Sequence, residues 1–261
     1  MPLSISKQAY DPSDVLLLAH CSDAAYAGSA PADIAAYLQN NHINVPASAI
    51  TIFNGIDDTQ AFGLVTAQEL IISFRGTEPT DWKNWEANFD ADQIALPSGA
   101  GKVHQGFYDS MNSMLPAIEV WIAANPGLNL AVCGHSLGGA MAILYALVSN
   151  HYTSLLQVYT YGQPRVGNSN TAQSINNAFG TKYFRFVDHH DLVPHVPPAL
   201  MNYRHGGCEV YFDGTQWNTG TVQVESLLEA LHDDQEIFGL DPAEAIEDHL
   251  MANYFLALAH L

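Results

Sequence analysis

Apolar and polar positions in this chain follow two different periods, and each change of period marks where a strand gives way to a helix. Residues 50–53, 61–66 and 69–74 are rich in β-formers and are separated by Asn54-Gly55 and similar breaks, which predicts an antiparallel entry into a sheet. Residues 128–133 form a short apolar run behind Asn125-Pro126-Gly127, bounded as a buried strand is. From 138 to 148 the chain is small, then apolar, with no proline, and predicts a helix packed on that sheet. A buried strand follows at 156–161, a helix at 168–179 and another strand at 182–187. The order helix, strand, helix, strand from Ser136 to Asp191 implies parallel strands joined by right-handed crossovers.

Upstream, Asp11-Pro12-Ser13-Asp14 opens an apolar helix over 15–26, with proline near its first turn, and a shorter helix covers 31–38. Residues 103–108 lead into a long helix ending near Ala124. Tyr211, Phe212 and Trp217 suggest a hairpin or an edge strand. The remainder is helical: 222–238, then a helix opened by an Asp241-Pro242-Ala243-Glu244 capping box and running toward Leu261. Between these, Trp82, Trp85 and Phe89 fall at i, i+3 and i+7 with charged residues interspersed, which predicts a short amphipathic helix. Such a stripe either packs on the core or covers a site beneath it.

Composition narrows the class. The chain has 261 residues, 48% of them apolar, and shows no repeat, linker or low-complexity tract, which favours a single α/β domain over 1–261. No run of eighteen or so apolar residues occurs, so no membrane-spanning segment is expected. Residues 1–10 lack a basic start and an apolar block, which implies a soluble protein of the cytoplasm or one exported without a signal. Eight basic against 27 acidic residues give a net charge of −19, which repels phosphate backbones and anionic headgroups and excludes nucleic acid as a partner. The same balance favours a monomer. The three cysteines, Cys21, Cys133 and Cys208, fit neither a disulfide framework nor a zinc pattern, although a Cys21–Cys208 bridge stays open.

The chemistry centres on Gly134-His135-Ser136-Leu137-Gly138, a G-x-S-x-G placed between the strand at 128–133 and the helix at 138–148. That context is what a nucleophile elbow needs: a serine on a strained turn, flanked by residues without Cβ, with helix N–H groups pointing at whatever binds there. A serine hydroxyl is a poor nucleophile at neutral pH, so a histidine has to take its proton and an acid has to orient that histidine. In such sheets the order is serine, acid, histidine. Asp191, in the turn after the 182–187 strand, fits the acid, and Asp188 rivals it. Of the later histidines, His195 is too near in sequence, His205 suits a turn and His260 lies in the tail, leaving His232 and His249. Asp188, His189, His190, Asp191 and His195 could also be read as metal ligands. Adjacent residues on a strand point to opposite faces, however, so they converge on one ion only through an irregular loop, and no metal and no cofactor are expected.

Several stretches together resemble the fungal-type, or class 3, lipases: 73–77 (Ser-Phe-Arg-Gly-Thr), 103–107 (Val-His-Gln-Gly-Phe), 134–140 around the serine, 159–167 (Tyr-Thr-Tyr-Gly-Gln-Pro-Arg-Val-Gly) and Asp191-Leu192-Val193-Pro194. They cover about 71–198, and the first seventy residues resemble the family little. The resemblance implies an α/β-hydrolase fold, a mostly parallel central sheet flanked by helices with a short helical lid at about 78–90. It makes Ser136 the nucleophile, Asp191 the acid and, through Asp248-His249-Leu250, His249 the base. It makes Thr77 and Leu137 the oxyanion donors, and turns the Trp82, Trp85 and Phe89 stripe into the lid that governs access. The implied activity is a cofactor-free serine carboxylester hydrolase, a triacylglycerol lipase working on lipid or other ester substrates at a lipid–water interface. A feruloyl-type esterase or a phospholipase is the alternative on the same scaffold. A non-catalytic lipid-binding protein would need a broken triad, and every residue type is present.

Overall fold

The computed structural model describes residues 11–77, 92–149, 151, 154–237 and 247–261. Its frame is an eight-stranded sheet. Strands β1 (Ile50–Asn54), β2 (Gln60–Val65) and β3 (Glu69–Phe74) form the antiparallel entry, and a separate small ribbon pairs β4 (Gln93–Ala95) with β5 (Lys102–His104). The parallel part then adds β6 (Asn129–His135), β7 (Leu155–Tyr161), β8 (Tyr183–Asp188) and β9 (Cys208–Phe212), with β10 (Trp217–Thr219) antiparallel at the far edge. The strand order is β1-β2-β3-β6-β7-β8-β9-β10. Tyr211 and Phe212 thus sit in a strand parallel to β8, and Trp217 in the hairpin partner at the edge.

Because β3, β6 and β7 are buried on both faces, they read as continuous apolar runs, yet their residues alternate between two cores. Leu70, Ile72, Phe74, Leu130 and Val132 face one core, built with α3 (Gln105–Ala123) and α4 (Leu137–Val148). Ile71, Ala131, Cys133, Tyr159 and Tyr161 face the other, built with α1 (Pro12–Ala24), α2 (Pro31–Asn40) and α7 (Met251–Leu258). Asp11 caps α1 by accepting the Ser13 N–H at 2.8 Å, with Pro12 in the first turn. The long helix begins at Gln105, capped by His104, whose ring nitrogen accepts the Phe107 N–H at 3.3 Å.

Two expected helices differ in extent. α5 (Ser169–Phe179) follows its pattern, but α6 (Leu227–Ile237) starts late, because residues 222–226 are irregular. The C-terminal helix is interrupted: Leu250 is extended (φ −69°, ψ 139°) and α7 starts at Met251, which places His249 in a turn. The capping box at 241–244 and the lid at 78–90, with Trp82, Trp85 and Phe89, lie outside the described residues. All three cysteines are buried and free, so Cys21 and Cys208 are not bridged. Among the described residues no helix is long and apolar enough to cross a membrane.

Candidate active site

The serine turn is built by close packing. A Cβ on Gly138 would fall 2.1 Å from the Phe74 carbonyl oxygen, and one on Gly134 would fall 2.3 Å from the Gly138 carbonyl oxygen. Only glycine lets α4 start this tightly against β3 and β6. Ser136 between them takes φ 59° and ψ −132°, a conformation that L side chains adopt only when the surroundings enforce it. Its N–H donates to the Tyr161 carbonyl at 2.9 Å, and its own carbonyl accepts from Gly139 at 2.9 Å to open the helix. Leu137 is therefore the first residue of α4, where backbone N–H groups have no partner inside the helix.

Thr77 reaches the same place from β3. Phe74 pairs with Gly134 across the parallel ladder, so the chain leaving β3 passes over the serine turn. A Cβ on Gly76 would lie 2.7 Å from the His135 carbonyl oxygen and 3.1 Å from Ser136 Cβ. Gly76, half-buried Thr77 and Leu137 share the wall of a cleft of about 720 Å³ with Arg75, Asn54 and Gln60.

On the other side of the turn stand the imidazole and carboxylate. His249 Nδ1 lies 3.0 Å from both oxygens of Asp191. Asp191 Oδ1 also accepts the Val193 N–H at 2.8 Å, and Oδ2 accepts the Tyr254 hydroxyl at 2.8 Å. Burial pushes the Asp191 pKa up, but the His249 charge and hydrogen bond, the Val193 N–H and the Tyr254 hydroxyl outweigh it and hold the carboxyl below its ordinary value. An ionised Asp191 keeps the His249 proton on Nδ1 and leaves Nε2 as the basic nitrogen. Gly162 (φ 56°) lets the two segments meet: a Cβ there would fall 2.6 Å from Asp191 Oδ2 and 2.8 Å from His249 Nδ1. Since Tyr161 holds the Ser136 N–H, the serine turn and this pair are packed on consecutive residues of β7 and its exit. Ser136, Asp191 and His249 are 2%, 0% and 7% exposed, so all three side chains are shielded from bulk water.

The rival acid differs in charge. Asp188, pushed up to about 7 by burial and by the neighbouring Asp248 and Asp191 carboxylates, is a poor permanent anion for an imidazolium, and its backbone N–H is held by the Tyr254 hydroxyl at 3.1 Å. His232 is exposed beside Asp233, at 3.6 Å. His205 Nε2 donates to the Pro194 carbonyl, 2.7 Å away, pinning the turn beyond Asp191.

Three residues here leave no local signal in the sequence. His135 Nε2 lies 2.7 Å from the His249 carbonyl oxygen, so that nitrogen carries the proton, and Nδ1 accepts the Tyr26 hydroxyl at 2.9 Å. The two imidazoles stack with centroids 4.5 Å apart. Burial first, then the His249 charge, push His135 down to about 3, so it stays neutral and serves as a brace for the His249 backbone. Tyr26, His135 and Tyr254 act across more than sixty residues of chain, and only the variable position of G-x-S-x-G could have pointed to one of them.

A serine on a strand–turn–helix elbow, set against a histidine–aspartate pair at the carboxyl ends of parallel strands, defines an α/β-hydrolase. The chain belongs to the class 3 lipase family: the family model described as Lipase (class 3) matches residues 71–201. It is similar to a lipase of Rhizomucor miehei, 36% identical over 71% of this chain and 52% of the relative. It is also similar to a secreted mono- and diacylglycerol lipase of Fusarium solani, 33% identical over 64% of this chain and 52% of the relative. The chain spans about half the length of these curated relatives. Among solved structures, the lipase from Rhizopus microsporus var. chinensis superposes with a TM-score of 0.69 at 25% identity, covering 95% of this chain and 90% of that one. The Rhizomucor miehei triacylglyceride lipase gives 0.67 at 26% identity, covering 93% and 95%.

Proposed function

We propose that the chain is a serine carboxylester hydrolase acting on acylglycerols, a triacylglycerol lipase. Ser136 Oγ attacks the ester carbonyl while His249 Nε2 takes its proton, and the buried Asp191 carboxylate holds the imidazolium. The N–H groups of Thr77, with its hydroxyl, and of Leu137 receive the oxyanion. Collapse releases the alcohol with the proton returned by His249, and water repeats the sequence on the acyl-serine. The observation that carries this reading is the His249 imidazole centred on a buried, ionised Asp191, packed through Gly162 against the strand that holds the serine turn. The names of the relatives, lipases on mono-, di- and triacylglycerols, support the substrate class.

Ser136→Ala and His249→Ala are expected to abolish release of fatty acid from tributyrin with the fold retained by circular dichroism, and His232→Ala to leave it intact. Wild-type turnover in either of the first two variants rejects the proposal. The lid reading of 78–90 belongs to it: activity on a medium-chain triglyceride should rise sharply above the concentration at which the substrate emulsifies. A faster rate on methyl ferulate or on a phospholipid than on any acylglycerol would move the substrate class.

A further inference from the structure

We propose that His189, His190 and Asp248 form a binding site for a zinc-type divalent cation that ties the turn of Asp191 to the segment of His249. On a regular strand two successive histidines point to opposite faces. Here β8 ends at Asp188 and His189 takes φ 24°, so the chain leaves the strand in an irregular turn. That turn brings the rings of His189 and His190 to centroids 3.5 Å apart, tilted by 42°. The third group comes from far along the chain: the His190 N–H donates to Asp248 Oδ2 at 3.2 Å, and His190 Nδ1 is 4.0 Å from the same oxygen.

One ligand atom from each residue lies within 4.8 Å of the other two. A tetrahedral ion with bonds of about 2.0–2.2 Å needs its ligand atoms roughly 3.3–3.6 Å apart, so a movement of about an ångström in partly exposed side chains completes the set. The His190 and Asp248 side chains are 30% and 22% exposed, which leaves them that freedom. Two imidazoles and one carboxylate favour zinc over magnesium or calcium, which take oxygen donors, and three protein ligands leave the remaining position to water. The overall charge of −19 draws cations to the protein, and the imidazoles select among them.

His190 directly precedes Asp191 and Asp248 directly precedes His249. An ion bound here is a clasp between the two chain segments that carry the acid and the base, which deepens the hydrolase reading while the binding itself does not depend on it. The test is isothermal titration calorimetry of the full chain, stripped with a chelator, against zinc chloride and against magnesium chloride. One zinc per chain is expected, with no magnesium heat, together with a higher thermal midpoint in zinc. His189→Asn, His190→Asn and Asp248→Asn should each weaken zinc binding tenfold or more, by comparison with the 10–100-fold that loss of a mere outer partner costs. The exposed His232→Asn should bind as wild type. Ser136→Ala should also bind as wild type, so a failure of this proposal is distinguishable from a failure of the esterase reading. Zinc affinity unchanged in the three ligand variants that fold by circular dichroism, or no zinc heat in the wild type, overturns the site.

Discussion

Replacing Asp191 by Asn changes one atom in a fully buried carboxyl group and should remove the base without removing the fold. The carboxylate accepts from His249 Nδ1, the Val193 N–H and the Tyr254 hydroxyl. Asparagine keeps an oxygen for Val193 but turns an NH₂ toward the other two. The Tyr254 hydroxyl can instead donate to the Phe186 carbonyl, 3.4 Å away, so the tyrosine remains satisfied. His249 Nδ1, 3.0 Å from both carboxyl oxygens, now meets one donor and one oxygen shared with Val193; where it accepts from the NH₂ the ring proton moves to Nε2, and the nitrogen that should deprotonate Ser136 is blocked. A wrong tautomer of this kind lowers kcat by roughly 10⁴-fold, about 5.5 kcal/mol of barrier. The assay is steady-state hydrolysis of p-nitrophenyl butyrate at pH 7.5, with near-ultraviolet circular dichroism to confirm the fold. Asp188→Asn is the control, a carboxyl raised to about 7 at the start of the same turn, and it should keep wild-type turnover. An Asp191→Asn enzyme retaining a tenth of the activity, or an Asp188→Asn enzyme as impaired as it, would show that Asp191 does not set the His249 tautomer.

Other outcomes follow from the same geometry. Arg165, fully buried, pairs with Glu225 at 2.8 and 2.9 Å and with Asp234 at 2.9 Å, so Arg165→Met strands two carboxylates and should cost about 3–5 kcal/mol in urea unfolding. Burial raises the Glu225 pKa, but His205 and Arg165 together bring it down to about 2 from 4.5. Its folded value being the lower one, the stabilisation is complete above 4.5 and disappears as pH falls from there toward 2, a loss that Arg165→Met should flatten. Gly162→Ala, whose Cβ would collide with both Asp191 and His249, should lower kcat on the order of 100-fold by displacing the pair, measured with the same ester. Tyr26→Phe takes the donor from His135 Nδ1 in a buried site and should lower stability by about 1–3 kcal/mol, read from the urea midpoint.

What the sequence makes legible is whatever its local periodicity controls. The apolar runs that became β3, β6 and β7 and the glycines around Ser136 are of this kind, because burial on both faces and close backbone approach each leave a local mark. The parallel direction of β6, β7 and β8 follows from the alternation of helix and strand. Distances between remote segments leave no such mark. Spacing alone could not separate Asp191 from Asp188, since what separates them is the position of His249, 58 residues on, and the field of Asp248. Arg165 carries no local mark of its burial, yet it clamps the turn beyond Asp191 and donates to carboxylates sixty and more residues away. The pairing of His189 with His190 depends on one positive φ that no composition rule forecasts.

The mechanism rests on Ser136 as a nucleophile activated by His249. Incubation with a p-nitrophenyl phosphonate ester, followed by peptide mass spectrometry, tests it most directly. One phosphonyl group per chain on Ser136, formed slowly or not at all in His249→Ala, is the predicted result. A label on another residue, or labelling of Ser136 at the same rate without the imidazole, would contradict it.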